Sequence, residues 1–154
     1  MSFNWESYLS LAEQLNNAAQ KLDGSASQKD LREACLRSAL SRFYYGVFCV
    51  ARNILSDYVT IPKKDTHKFV ICEYSTASDS EVGKVGENLK RLWRKRKMAD
   101  YDNEIDIREG GRYQSDFDAV DATNKKARKI IQQIRTLKSD GFISASTFSE
   151  EHCR

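Results

Sequence analysis

Arg37-Ser38-Ala39-Leu40-Ser41-Arg42-Phe43-Tyr44-Tyr45-Gly46-Val47-Phe48 is the stretch that decides the fold. Leu36, Leu40, Phe43, Val47, Val50 and Ile54 recur through and beyond it at spacings of three and four. Tyr44, Phe48, Ala51, Leu55 and Tyr58 widen the same stripe. That period is helical, and it predicts one long helix from about Gln28 to Asp57. Ser27 reads as its N-cap, with Asp30 in the first turn, and Val59 to Pro62 closes it. A helix apolar over so much of its circumference belongs at the centre of a bundle. Arg37 and Arg42 are costly there unless paired or exposed. Gly46 costs about 1 kcal/mol against alanine in mid-helix, which points to close approach of another helix or a partner chain.

Four further segments repeat the helical pattern. Trp5, Tyr8, Ala12, Leu15, Ala19 and Leu22 mark a first helix, which Asp23-Gly24-Ser25 ends, Gly24 being able to take the left-handed cap conformation. A short helix is expected from Asp65 or Thr66 to Tyr74. Val82, Val85, Leu89 and Leu92 mark the next, capped by Ser78 or Asp79 and fraying near Lys97. Residues 101–113 read as a polar loop. The last helix runs from about Ser115 to Lys138 along Phe117, Val120, Ala127, Ile130, Ile131, Ile134 and Leu137. The expected fold is therefore all-α, an up-and-down bundle of four or five helices. Residues 1–138 form one domain, and residues 139–154 are expected to be a flexible C-terminal tail.

Composition narrows the class. Hydrophobic residues make up 40% of the 154 and charged residues 31%, a globular profile. No apolar run approaches the roughly 20 residues of a membrane span, and the N-terminus lacks the pattern of a signal peptide. A soluble cytoplasmic protein is the expectation. Cys35, Cys49, Cys72 and Cys153 form no CxxC pair and read as reduced thiols. His67 and His152 lack metal-ligand spacing with them, so neither zinc nor another cofactor is expected.

Charge is concentrated rather than large. The net charge is only +3, yet six of the eight residues from Lys90 to Lys97 are cationic. Lys90, Arg91, Lys95, Arg96 and Lys97 are the candidate RNA or phosphate contacts, and such a cluster makes binding salt-sensitive. Lys125, Lys126, Arg128 and Lys129 read as a solvated face, paired at helical spacing with Asp118 and Asp121. Asp100 and Tyr101 follow the basic run, where Asp100 can orient Arg94 or an arginine of the central helix. The central helix carries more apolar surface than one small bundle needs. A homodimer face at Arg42, Tyr45, Gly46 and Cys49 is the expected use of it.

Three blocks in order resemble the HEPN family of small helical domains. Arg37 to Phe48 is similar to the family's "SRxYYAxF" helix, and Thr66-His67-Lys68-Phe69-Val70 to its "THxxV" helix. Leu89 to Asp102 is similar to its "LxxLxxxRxxADYD" segment, and the resemblance spans roughly Leu31 to Leu137. It implies a bundle that dimerises through its central helices, and a role in RNA cleavage within toxin–antitoxin and antiviral defence systems. In such members an arginine, four to six residues and a histidine form the active motif. The arginine stabilises developing charge and the imidazole moves a proton. Here Arg94 matches the arginine, and Ala99 stands where the histidine belongs. The resemblance thus implies an RNA- or nucleotide-associated dimer with weak or no nuclease activity. A metal-independent endoribonuclease with a variant Arg94, Asp100 and Tyr101 site is the alternative, although an unperturbed phenol, with pKa near 10, is a weak base. A further alternative is a non-catalytic adaptor for a partner nucleotidyltransferase, an enzyme that in some pairs modifies the tyrosine matching Tyr101. His67 is expected to pack or to cap its helix.

Overall fold

The computed structural model describes residues 2–154. Five helices follow in order: α1 (Ser7–Lys21), α2 (Ala26–Leu55), α3 (Thr66–Ser75), α4 (Ser80–Tyr101) and α5 (Asp116–Ser139). There is no strand among the described residues.

The central helix is α2, as its all-round apolar pattern requires. It packs against α1, α4 and α5 and touches α3, while α3 packs mainly on α4. Phe43, Tyr44, Val47, Ala51 and Leu55 are sealed from solvent on its several sides. Burying a side chain of this size contributes about 1.5–3 kcal/mol, so α2 supplies much of the apolar stabilisation. Gly46 is explained within the chain. A Cβ there would meet Leu9 Cδ1 at 2.2 Å and the Trp5 carbonyl oxygen at 3.2 Å, so the glycine lets α1 lie down on α2. It is covered by α1 and is not free to form the dimer face expected of it.

Several helix ends differ from expectation. Ser25, not Ser27, precedes α2, and no side-chain bond caps it. Gly24 does not take the left-handed conformation, and the first helix ends at Leu22 with an extended backbone. Asp79 caps α4 as expected, accepting from the Glu81 and Val82 amides at 2.9 and 3.1 Å. Ser115 caps α5 by accepting from the Asp118 amide at 3.1 Å.

The largest correction to a boundary is at the end of α4. Fraying was expected near Lys97, yet the helix continues to Tyr101. Arg37 of α2 holds this end. Its Nη1 donates to the carbonyls of Ala99 and Asp102 at 3.1 and 2.6 Å, and Nη2 donates to that of Asn103 at 3.0 Å. A guanidinium there satisfies carbonyls that the helix leaves open and complements its dipole.

Two expectations about the C-terminus are overturned. Residues 139–154 do not stand off as a tail: Ile143, Thr147 and Phe148 are buried against the bundle. Cys72 and Cys153 are joined in a disulfide, with Cα atoms 5.7 Å apart, while Cys35 and Cys49 are free. Spacing along the chain gave no sign of either, because the partners lie 81 residues apart.

Candidate functional site

An open pocket of about 850 Å³ lies where α2, α3 and α4 meet. Successive turns of α2 send Arg42, Tyr45, Phe48, Cys49 and Arg52 into it. The first turn of α3 adds Thr66, His67 and Lys68, and α4 adds Trp93, Arg96 and Lys97. Trp5, Tyr8 and Lys63 complete the rim. The only acidic residue in the lining is Asp65, which pairs loosely with Lys68 at 3.7 Å.

Arg42 and Arg52 are held by rings rather than by carboxylates. Arg42 lies over Tyr8 and Tyr45, with centroid distances of 5.3 and 5.5 Å. Arg52 lies over Trp5 and Phe48 at 5.5 and 6.0 Å and otherwise donates only to the Asn53 side chain. Neither has an acidic partner among the described residues, although both are half-buried. Ring stacking holds a guanidinium in place and leaves its N–H edge open for an oxyanion.

Arg96 is the third guanidinium. Its Nε lies 2.7 Å from Asp100 Oδ2 in an ion pair, and Nη2 donates to the Tyr45 hydroxyl at 2.8 Å. Its Cζ lies over the rings of Tyr45 and Tyr101, 5.2 and 5.4 Å from their centroids. Asp100 is itself held by the Ser41 hydroxyl at 3.2 Å. Tyr101 stays 70% exposed at the mouth of this corner.

His67 forms part of the wall. Its ring stacks on Phe48 with centroids 4.2 Å apart, and Nδ1 is 2.6 Å from the Tyr44 hydroxyl. Tyr44 is fully buried and its hydroxyl has no other hydrogen-bond partner among the described residues. Burial also pushes the phenol's pKa up, so it keeps its proton. Tyr44 must then donate to Nδ1, because any other arrangement strands the hydroxyl proton in the core. His67 consequently carries its own proton on Nε2, as a donor. Burial, and then the charges of Arg96 and Arg52, hold its pKa below the usual histidine value. The ring is therefore a neutral donor and not a poised base.

The predicted site residues divide between two faces of α4. Asp100 and Tyr101 do meet an arginine, but it is Arg96 and not Arg94. Arg94 is exposed and lines a groove of about 820 Å³ between α4 and α5, with Arg91, Lys95, Lys126 and Lys129. Residues two apart on a helix are about 200° apart around its axis, so Arg94 and Arg96 serve opposite sides. The variant trio of Arg94, Asp100 and Tyr101 is not assembled. Lys90 is half-buried on α4 and lines neither cavity, Lys95 is spent on Glu109 at 2.5 Å, and Lys97 sits over the Trp93 ring at 4.1 Å. Of the expected dimer-face residues, Arg42, Tyr45 and Cys49 line the pocket, where burial pushes the Cys49 thiol up and leaves it inert.

Arg52, Lys63 and His67 have no place in the sequence-level site. Arg52 follows Arg42 by ten residues, about 80° round the helix axis, so spacing alone did not pair them and only a pocket wide enough to span that arc does. The signal for Arg96 was its i,i+4 spacing to Asp100, hidden by ending the helix early. No group of His, Cys, Asp and Glu able to hold a metal is present among the described residues. No helix is long and apolar enough to cross a membrane. No protein-family model, curated protein or solved structure matches the chain.

Proposed function

We propose that this chain is a HEPN-like protein that binds a phosphate-bearing ligand, RNA or a nucleotide, in the pocket between α2, α3 and α4, with weak or no nuclease activity of its own. One observation carries the reading: Arg42 and Arg52 are half-buried, stacked on aromatic rings and without a carboxylate partner. Charges held this way favour an anion that brings its own negative charge and several acceptors. Arg96 and the donor on His67 would contribute further bonds to the same phosphate. Trp5 and Trp93 add aromatic surface to the lining, against which a base can rest. The groove cations Arg91, Arg94, Lys126 and Lys129 give a longer RNA a second place for its backbone.

The weak-nuclease part of the reading rests on the missing base. Ala99 is buried where the family motif has histidine, and the Nδ1 of His67 is engaged by Tyr44. General-base catalysis needs a free, basic atom within hydrogen-bond reach of the attacking hydroxyl.

The test is RNA binding and cleavage at low salt by the wild type, Arg96→Gln and Arg94→Ala, with folding checked by circular dichroism. Binding without cleavage is expected. Arg96→Gln should weaken binding of a mononucleotide about tenfold, the effect of losing one charged hydrogen bond worth about 1.5 kcal/mol. Arg94→Ala should leave mononucleotide binding intact. No binding by the wild type would end the reading, and cleavage lost in Arg96→Gln would replace it with a ribonuclease.

A further inference from the structure

The C-terminal segment is fastened to the helix that forms one wall of the pocket. Beyond α5, the Thr147 carbonyl accepts from the Ser78 amide at 3.0 Å, and Phe148 packs edge-on to Tyr74 with centroids 5.3 Å apart. The Ser149 amide donates to Glu73 Oε2 at 3.1 Å, and Cys153 is bonded to Cys72. Cys72, Glu73 and Tyr74 belong to the last turns of α3, whose first turn carries His67 and Lys68 into the pocket.

Apart from the covalent bond, few contacts hold the segment on α3. Glu73 is fully buried, yet its Oε1 has no hydrogen-bond partner among the described residues. A carboxyl group in that position gains solvation whenever the segment lifts. Only Ile143, Thr147 and Phe148 of the segment are buried. Cys72 and Cys153 are both half-buried rather than sealed, so a thiol can reach the bond. A disulfide that an attacking thiolate can reach is open to exchange.

We propose that the Cys72–Cys153 disulfide is a redox clasp that sets the order of α3 and thereby regulates the pocket; the regulatory half of this rests on the function proposed above. The reductant is a dithiol. One of its thiolates attacks a sulfur of the clasp, the S–S bond breaks and a mixed disulfide forms. The second thiol of the reductant resolves it. Two electrons and two protons pass to Cys72 and Cys153, and the reductant leaves as its own disulfide. Without the bond, residues 140–154 lift from α3, Glu73 meets water, and the wall bearing His67 and Lys68 loosens.

The experiment uses the full chain, oxidised and after treatment with dithiothreitol, with Cys153→Ser as a clasp-free variant. Mass spectrometry after alkylation should count two thiols before reduction and four after it. Hydrogen exchange should rise in residues 140–154 and 66–75, and adenosine monophosphate should bind about fivefold more weakly or worse. Cys153→Ser should match the reduced protein and ignore dithiothreitol. Unchanged exchange after full reduction would make the bond a static staple and overturn the proposal. A rise in exchange with unchanged affinity would overturn the link to the pocket. If neither form binds adenosine monophosphate or RNA, the proposed function fails, and the exchange data still decide the clasp.

Discussion

Arg37, Arg42 and Arg52 lie on one helix and do two different things. Arg37 pairs with Glu33 at 2.7 Å and closes the end of α4. Arg42 and Arg52 stack on rings and keep their N–H edges for a ligand. His67 adds a measurable handle to the same pocket. Its folded pKa lies below its unfolded value of about 6.5, because burial and two guanidiniums disfavour the imidazolium. The unfolded chain therefore binds the proton first as pH falls. The stability tied to the neutral ring is complete above about pH 6.5 and drains away as pH drops towards the folded pKa. His67→Gln should flatten the urea midpoint between pH 7 and pH 5 relative to the wild type. Inorganic phosphate in the pocket should offset the guanidiniums and raise the His67 pKa, read from the imidazole Cε1–H resonance. An unmoved titration curve at saturating phosphate would count against the pocket as an anion site.

At the scale of elements, α4 is the part on which the site turns. Its cap at Asp79, its apolar stripe and its basic run are all local patterns and are legible along the chain. Its length is not, because Arg37 arrives from 62 to 66 residues away to stabilise the last turn. That extra turn is what places Asp100 and Tyr101 in helical register with Arg96. Arg37→Ala should cost about 1.5–3 kcal/mol, the usual worth of charged hydrogen bonds, and should raise hydrogen exchange at residues 98–102. The seat of α3 on α4 is equally exacting. A Cβ on Gly86 would meet the Ser75 backbone nitrogen at 2.2 Å and its Cα at 2.5 Å. Backbone cannot yield as the Leu9 side chain facing Gly46 can. Gly86→Ala should therefore destabilise by about 3 kcal/mol or more, and by more than Gly46→Ala, in paired denaturation curves.

Across the whole molecule, cations gather on both sides of α4, around a pocket on one side and a groove on the other. Engaging both requires an RNA of several nucleotides. Its affinity should fall more steeply with salt than that of a mononucleotide, and paired Arg91→Glu and Lys129→Glu changes should reduce the slope for the oligomer alone. The chain is also closed on itself by a bond spanning 81 residues. Losing it in Cys153→Ser should lower stability by roughly 2–5 kcal/mol in urea denaturation, through a freer unfolded chain and a looser C-terminus.

A bundle of four or five helices, the centrality of α2, a cap at Ser78 or Asp79, a last helix starting near Ser115 and the basic run on α4 were determined by the sequence alone. Each depends on residues within a turn or two of one another, where apolar period and side-chain capping operate. The tertiary structure decided the rest: that Arg96 and not Arg94 meets Asp100, that Arg52 and His67 share a pocket, that Gly46 serves α1, and that residues 140–154 are clasped to α3. These depend on which helices come together and at what rotation. A pair of arginines two residues apart looks alike along the chain, and only the packing around the helix tells them apart.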